Sequence, residues 1–387
     1  MVIIKKCEDY DFDLIKSYLK ESLKELNFYN DVKENAKVFI KLNLVGPFPK
    51  EMAITTHPVI LKAVIQLVKE KTNNIIVGDN PAVRDMTYTL KKCNLLDVIK
   101  EENVSLMDGT IFETIHNSNP IIHSSFEVSK QMIDVDVLIN LPKLKTHTLA
   151  YMTCAQKNFF GLIYGLNKSA WHTKANNPLE FGNAINDLYG AFLECFKDKQ
   201  FYHICDGIIG LEGEGPSSGG TVKKANCLLI SKDAVALDRV ACELVHLDYN
   251  KLFINKIANE RKYGNGDLEK IQIKGNQLSD FDDIHFQAPR DSLSHVGLKI
   301  LTIKPIRNLL LERPKINKEK CIKCGECAKI CPPHAMSIKT KDFPKLKKNI
   351  CIRCWCCAEV CPQNAIDKSK RPFIGRLVLK TDKNKKR

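Results

Sequence analysis

Residues 321–362 read CIKCGECAKICPPHAMSIKTKDFPKLKKNICIRCWCCAEVCP, and they hold nine of the chain's 16 cysteines. The pattern C-x2-C-x2-C-x3-C-P occurs twice in this stretch, first at Cys321, Cys324, Cys327 and Cys331 and then at Cys351, Cys354, Cys357 and Cys361. Each cysteine of the second copy follows its counterpart by 30 residues. A repeat of this regularity predicts a small module built from two similar halves.

The spacing resembles the ligand runs of bacterial two-cluster ferredoxins, in which the fourth cysteine of each run binds the other cluster. The resemblance implies two [4Fe-4S] clusters. The first would be held by Cys321, Cys324, Cys327 and Cys361, and the second by Cys351, Cys354, Cys357 and Cys331. Zinc is disfavoured because zinc ribbons take four ligands in two pairs. Cys356 is an additional cysteine in the second run. We interpret it as a plain thiol, because Cys357 keeps the 30-residue offset, but a second ligand register with Cys356 in place of Cys357 stays open.

Positive charge is concentrated in the last quarter of the chain. From Val296 onward there are 24 Lys and Arg against 7 Asp and Glu, a net charge of +17, whereas the remainder carries −3. Lysines near anionic clusters would offset their charge, and the same lysines would favour docking of an acidic redox partner protein. Nucleic acid is disfavoured as a partner, since no aromatic-interleaved basic motif is present.

No signal pattern and no apolar run of membrane-spanning length is present, so we expect a soluble cytoplasmic protein without a membrane partner. In that setting, 16 cysteines indicate metal binding rather than disulfides. The seven cysteines before residue 300 show no ligand spacing and are expected to be buried as small hydrophobic residues.

The first 295 residues alternate between strand and helix patterns, which predicts a mainly parallel sheet covered on both faces. Strands are expected at 2–5, 37–45, 75–77, 104–107, 136–141 and 228–230, and helices at 12–26, after 58, and at 85–100, 181–196 and 234–245. Thr56 is the expected N-cap of the helix that starts near Pro58. Residues 212–220 are rich in glycine and are expected to form a loop.

The predicted fold class is therefore α/β, with a small α+β ferredoxin-like domain added. The expected divisions are an α/β domain at 1–295, a basic connector at 296–315 broken by Pro305 and Pro314, a two-cluster domain at 316–370, and a basic tail at 371–387.

Polar side chains gather where the expected strands end. They are Lys41, Asn43, Asp79, Asn80, Asn140, Lys143, Lys145, His147 and Asp206. In open α/β sheets the ligand crevice lies outside the carboxyl ends of the strands. Each residue also has a structural interpretation, as a turn former, a surface lysine or a buried histidine. The 212–220 loop is either a simple connection or a place where backbone N–H groups approach an anion. No nucleotide-binding glycine motif is present.

The large domain resembles the family catalogued as domain of unknown function 362. The matching segments are IKLN at 40–43, TTHP at 55–58, VGDNP at 77–81, INLPKLKTH at 139–147, KNFFG at 157–161, DGI at 206–208, EGEGP at 212–216 and DAVALD at 233–238. The resemblance implies a fold and a site, and members similar to this chain carry a C-terminal ferredoxin module. It supplies no reaction. The site residues that it suggests are Lys41, Asn43, Asp79, Lys143, Lys145, His147, Lys157 and Asp206.

Three functions remain open from the sequence. In an electron-transfer oxidoreductase, the lysines would bind an anionic small molecule and His147 would transfer a proton. The expected catalytic set is then Lys41, Asp79, Lys143, Lys145, His147 and Asp206. In a binding or maturation protein, the crevice would hold an iron–sulfur precursor or metal, without net redox catalysis. A non-redox isomerase or transferase would keep the clusters for stability.

Overall fold

The computed structural model describes residues 1–81, 85–163, 171, 175, 177–289, 303–340 and 342–378. In chain order their strands are β1 (Val2–Lys6), β2 (Val38–Lys41), β3 (Ile75–Gly78), β4 (Ser105–Leu106), β5 (Phe112–His116), β6 (Ser125–Ser129), β7 (Val137–Asn140), β8 (Lys143–His147), β9 (Tyr151–Thr153), β10 (Gln200–Gly213), β11 (Gly220–Ser231), β12 (Ile273–Gly275), β13 (Pro314–Ile316), β14 (Met336–Ser337), β15 (Lys345–Leu346) and β16 (Ile366–Lys368).

The α-helices of the same residues are α1 (Phe12–Glu25), α2 (Phe28–Asp31), α3 (Pro58–Lys69), α4 (Met86–Lys92), α5 (Leu95–Glu101), α6 (Ala155–Asn158), α7 (Pro178–Cys195), α8 (Ala234–Leu244), α9 (Phe253–Glu260), α10 (Lys304–Leu310), α11 (Glu326–Lys329), α12 (Cys356–Glu359) and α13 (Phe373–Val378). None of the described helices combines the length and the apolar character that crossing a membrane requires.

One ten-stranded sheet organises the large domain, with the order β12-β1-β11-β10-β7-β2-β3-β4 and with β8 and β9 attached beside β10. The five strands from β10 to β4 in that order are parallel, and β11 is antiparallel to both of its neighbours. Successive residues of β2 point to opposite faces of the sheet, as in any strand. Val38 and Ile40 accordingly pack in one hydrophobic cluster, and Phe39 packs in the other. Helices α1, α3 and α5 cover the first face, and α7, α8 and α9 cover the second. The mainly parallel α/β fold is therefore confirmed.

Several local expectations differ from the structure. The helix expected at 85–100 is two helices, because Asn94 adopts a left-handed conformation with φ 59° between them. Thr56 does not cap α3. Its hydroxyl accepts a hydrogen bond from the Asn43 N–H (2.8 Å) and donates to the Leu141 carbonyl (2.9 Å), and His57 caps the helix instead. Thr56 thus joins the segments that follow β2 and β7.

The glycine-rich loop is shorter than expected, because β10 continues to Gly213 and β11 begins at Gly220. As a result, Asp206 lies inside a strand and not at its end. Pro305 occupies the first turn of α10, where its missing N–H has no consequence, so it starts this helix and does not break the connector. Residues 296–302 of the expected connector and residues 379–387 of the expected tail lie outside the described residues.

The C-terminal module repeats its elements as its sequence repeats. Helices α11 and α12 occupy equivalent positions 30 residues apart, and each begins one residue before the third cysteine of its run. Strand β13 pairs with β16, and β14 pairs with β15, both antiparallel. The paired strands bring the two cysteine runs together in one small unit.

Candidate functional site

The eight cysteines of the two runs surround two separate small cavities. The first is lined by Cys321, Cys324, Cys327 and Cys361, and the second by Cys331, Cys351, Cys354 and Cys357, with Cys356 beside them. Each cavity therefore receives one cysteine from the other run. Backbone N–H groups of Ala335 and Ala365 donate to the sulfurs of Cys331 and Cys361, both at 3.2 Å. Four thiols with N–H donors form a donor set suited to an iron–sulfur cluster.

A third and larger cavity lies between the large domain and the module, with a volume of about 110 Å³. Its walls carry most of the polar residues expected at the crevice: Asn43, Asp79, Asn80, Lys143, Lys145, His147 and Lys157. The module contributes Ile330, Cys356, Glu359 and Val360. Helix α12, which lies within the second cysteine run and contains Cys357, thus closes the crevice at the carboxyl ends of the strands.

Lys41 and Asp79 form a buried ion pair under this cavity. The Lys41 Nζ lies 2.8 Å from the Asp79 Oδ1, and the backbone N–H of Leu44 donates to the Asp79 Oδ2 at 2.7 Å. Burial lowers the pKa of Lys41, and the carboxylate of Asp79 opposes that shift. A Cβ on Gly161 would stand 2.2 Å from the Asp79 Oδ1 and 2.4 Å from the Lys41 Nζ, so a side chain at this position would displace the ion pair.

Lys143 also forms an ion pair with a buried carboxylate. Its Nζ lies 2.7 Å from the Asp206 Oδ2 and donates to the Tyr10 hydroxyl at 2.6 Å, while Tyr10 donates to the Asp206 Oδ1 at 2.9 Å. Burial and the charge of Asp206 raise the pKa of Tyr10, so the phenol stays protonated. The ring of His57 stacks on Tyr10 with centroids 3.5 Å apart, and burial lowers the pKa of His57 to about 4.

Lys145 and Lys157 are different, because among the described residues neither has a carboxylate within ion-pair distance. The Lys145 Nζ donates to the Asn43 Oδ1 (2.6 Å) and the Ile54 carbonyl (2.7 Å). Burial, followed by the charges of Lys157 and Lys143, lowers the pKa of Lys145 to about 7. The Lys157 Nζ lies 4.4 Å from the centre of the Phe160 ring, and burial lowers its pKa to about 8, against the opposing charge of Glu359.

His147 joins the two parts of the protein. Its Nδ1 accepts hydrogen bonds from the backbone N–H groups of Leu149 (3.0 Å) and Ala150 (3.2 Å), which assigns the ring proton to Nε2. That Nε2 lies 3.8 Å from the Glu359 Oε1. Burial raises the pKa of Glu359 to about 7, and the charges of Lys157 and Lys145 oppose the shift.

Residues 38–243, more than half of the chain, match the family described as a domain of unknown function (DUF362). A thylakoid-associated protein of Synechocystis sp. is 30% identical over 250 residues, which cover 64% of this chain and 75% of that protein. The chain belongs to the DUF362 family. Residues 314–337 match the 4Fe-4S binding domain, so the DUF362 domain is joined to an iron–sulfur module.

Two solved structures are similar to part of this chain. The lactate racemase apoprotein of Thermoanaerobacterium thermosaccharolyticum is 16% identical with a TM-score of 0.37, over 58% of this chain and 54% of that one. A protein of Thermotoga maritima is 11% identical with a TM-score of 0.34, over 54% of each chain. The match thus spans about half the length of both structures.

The glycine-rich loop of the DUF362 domain contacts the iron–sulfur module. The Ser218 hydroxyl donates to the Cys361 carbonyl at 2.7 Å, and Glu214 forms an ion pair with Lys368. A Cβ on Gly215 would lie 2.1 Å from the Thr146 carbonyl oxygen, so the close approach of this loop to β8 depends on glycine. The loop is therefore part of an interface between the two domains.

Sequence reasoning missed several residues of the site. Tyr10 and His57 lie before or between the expected strand ends, and only their packing brings them to Lys143. Cys356 and Glu359 had a readable signal, since the 30-residue repeat sets them against Glu326 and Lys329 of the first run. Six of the seven cysteines outside the module are buried as expected, and Cys195 is exposed.

Proposed function

We propose that this protein is an iron–sulfur oxidoreductase that holds two [4Fe-4S] clusters and exchanges electrons with an anionic small molecule in the cavity between its domains. The supporting observation is the shared wall of that cavity. Lys145 and Lys157 of the DUF362 domain face it from one side. Cys356 and Glu359 face it from the second cysteine run, on either side of Cys357, an expected ligand of the second cluster. A substrate there lies between acid–base groups and the redox module.

The two lysines without carboxylate partners would bind the substrate. Lys145 is held by Asn43 and the Ile54 carbonyl, so its amine is positioned before any ligand arrives. Phe160 and Phe181 provide an apolar wall near Lys157, which suits a small molecule with one anionic group and an apolar body. Lys41 and Lys143 already have carboxylate partners, and they would shape the cavity floor.

The same groups would manage protons. A pKa of about 7 lets Lys145 act as either donor or acceptor near neutral pH. The proton on the His147 Nε2 is directed to the cavity side, where Glu359 lies. The clusters supply single electrons, and proton transfer from Lys145 would neutralise negative charge that develops on the substrate.

The test begins with anaerobically reconstituted protein. Its clusters are reduced with dithionite, the excess is removed, and a set of small carboxylates and phosphates is added while visible absorption reports reoxidation. We expect some of these anions to reoxidise the clusters, and Lys145→Met to abolish this effect with iron content and EPR spectrum unchanged. The exposed Lys92→Met serves as the control and should behave as the wild type.

The outcome that contradicts the proposal is reduced protein that no anion reoxidises faster than buffer does. If such protein instead passes its clusters intact to an apo-ferredoxin, the maturation function holds. Clusters that dithionite cannot reduce would also contradict the oxidoreductase proposal.

A further inference from the structure

The two cysteine runs are equivalent in sequence but differ in exposure. Ile322, in the first run, has 60% of its surface exposed, and the adjacent Lys323 is also exposed. Their counterparts 30 residues later are Ile352, which is half-buried, and Arg353, which is 2% exposed. The first ligand loop therefore faces solvent, whereas the second is enclosed.

Specific contacts enclose the second run. The Arg353 guanidinium donates to the Glu312 carbonyl (2.8 Å) and to the Asn308 Oδ1 (2.9 Å), which fixes the loop beneath α10. Trp355, which is 4% exposed, lines a cavity against the glycine-rich loop of the DUF362 domain. Cys356 lines the substrate cavity. These contacts leave the first run as the outward side of the module.

Charge follows the same division. Residues 315–348 carry ten lysines against three acidic residues, a net charge of +7, whereas residues 349–368 carry two basic and two acidic residues. Lys318, Lys320 and Lys323 are exposed and flank the first two ligands of the first run. The ring of Phe343 lies 5.5 Å from the Lys318 Nζ and 4.4 Å from the Lys323 Nζ, so two of these lysines share one aromatic support.

We propose that this face, formed by Lys318, Lys320, Ile322, Lys323 and Phe343, docks a small acidic protein that carries single electrons. The inference rests on the proposed electron transfer and adds a direction to it, with the first run as the partner's side and the second run as the substrate's side. Complementary charge raises association rates and falls off with salt. An apolar centre at Ile322 inside a ring of lysines matches the anatomy of small transient interfaces.

The experiment follows reduction of the holoprotein by a photoreduced, acidic plant-type [2Fe-2S] ferredoxin in stopped flow, with no substrate present. We expect a second-order rate constant that falls steeply with ionic strength. Lys320→Glu with Lys323→Glu should lower it about tenfold or more at low ionic strength, and remove most of its salt dependence. A neutral pair, Lys318→Gln with Lys320→Gln, leaves residues 321–324 intact and should give a smaller loss. Iron content and EPR spectra confirm that each variant keeps its clusters.

The matched control is Lys24→Glu with Lys100→Glu, which changes the net charge equally. Lys24 lies in the last turn of α1, and Lys100 lies in the last turn of α5. These turns lie near the amino ends of the parallel strands, whereas the module lies at their carboxyl ends. We expect less than a twofold effect, since charges beyond about a Debye length of 8–10 Å are largely screened.

Equal reduction rates for the Lys320/Lys323 pair and its control would overturn the docking face. The proposed function would survive that result as long as Lys145→Met still blocks reoxidation by anions. Stoichiometric binding of a short DNA duplex at physiological salt, lost in the Lys320/Lys323 pair, would overturn the proposal in favour of a nucleic-acid surface.

Discussion

The buried lysines of the cavity fall into two kinds. Lys41 and Lys143 have carboxylate oxygens at 2.8 and 2.7 Å, so their charges are part of the folded structure. Lys145 has only neutral oxygen acceptors, and Lys157 has aromatic neighbours. Burying a cation without a counter-charge is unfavourable, which is why the pKa of Lys145 falls to about 7. The proposed anionic substrate would supply the missing counter-charge.

Lys145→Met tests this assignment through the pH dependence of stability. The pKa of Lys145 is about 7 in the folded chain and near its usual 10.5 when unfolded, so the unfolded state binds the extra proton between these values. Lys145 therefore lowers the free energy of unfolding most strongly below pH 7, and this destabilisation decreases as the pH rises. Between pH 7 and 9, we expect the free energy of unfolding of the wild type to increase by about 2 kcal/mol more than that of Lys145→Met. Urea unfolding followed by circular dichroism measures this difference. If the free energy of unfolding depended on pH in the same way in both proteins, the prediction would be wrong.

Lys143→Met should act on folding. It leaves the buried Asp206 carboxylate with the Tyr10 hydroxyl but without its cation, a loss of about 3–5 kcal/mol in the free energy of unfolding. Adding Asp206→Asn removes the stranded charge and should recover much of that loss. Lys20→Met breaks the exposed pair with Glu70 and, as the control, should change stability by less than about 1 kcal/mol. A Lys143→Met protein as stable as that control would show that the pair contributes little.

At the scale of elements, the module is a repeat whose two copies differ where the second copy contacts the other domain. Gly325 adopts φ 81° in the first run, and the equivalent Trp355 adopts φ 66°, a conformation that side chains rarely take. Trp355, Cys356 and Glu359 all depart from the repeat, and all three line cavities shared with the DUF362 domain. At these positions the residue types therefore suit the contact with the other domain and not the turn itself.

The crossed arrangement of ligands predicts matched effects from distant cysteines. Cys324→Ser and Cys361→Ser should each damage the first cluster and leave roughly half of the iron, because the two side chains line the same cavity. Cys331→Ser should spare that cluster and damage the other. Iron analysis and EPR of the reconstituted variants decide this. Equal loss of both clusters from every variant would mean that the module assembles as one unit or that the ligand sets are different.

Cys356→Ala separates the two ligand registers of the second run. Cys357 keeps the 30-residue offset, whereas Cys356 occupies the position of Glu326 in the first copy and begins α12 at the cavity between the domains. We expect unchanged iron content and a nearly unchanged EPR signal. A variant that keeps only one cluster's worth of iron would make Cys356 a ligand.

For the whole molecule, the contact between domains creates the candidate site. The cavity has no single-domain version, because α12 forms one wall and the ends of the parallel strands form another. The glycine-rich loop joins the two domains through Ser218 and through the ion pair of Glu214 with Lys368. Lys368 also lies over the Trp355 ring at 5.6 Å, so one lysine supports two parts of the interface.

Lys368→Glu should loosen this interface, because it places two carboxylates where an ion pair stood. Hydrogen exchange measured by mass spectrometry should then rise in residues 214–219 and 354–360, and Glu214→Lys in the same chain should restore part of the protection. Iron content should stay constant throughout. Exchange that remains at the wild-type level in the single variant would mean that apolar packing at Trp355 holds the domains together without the ion pair.

The sequence alone was enough for whatever depends on spacing along the chain. The cysteine intervals predicted which thiols share a cavity, and the alternation of apolar runs predicted the parallel sheet, because ligand loops and strands are local structures with fixed repeat lengths. Only the tertiary structure decided which lysines have a carboxylate partner. Lys143 and Asp206 are 63 positions apart, and Lys145 and Glu359 lie on different domains, so no local pattern separates the paired lysines from the others. Burial sets the charge state of these groups, and burial is a property of the assembled fold.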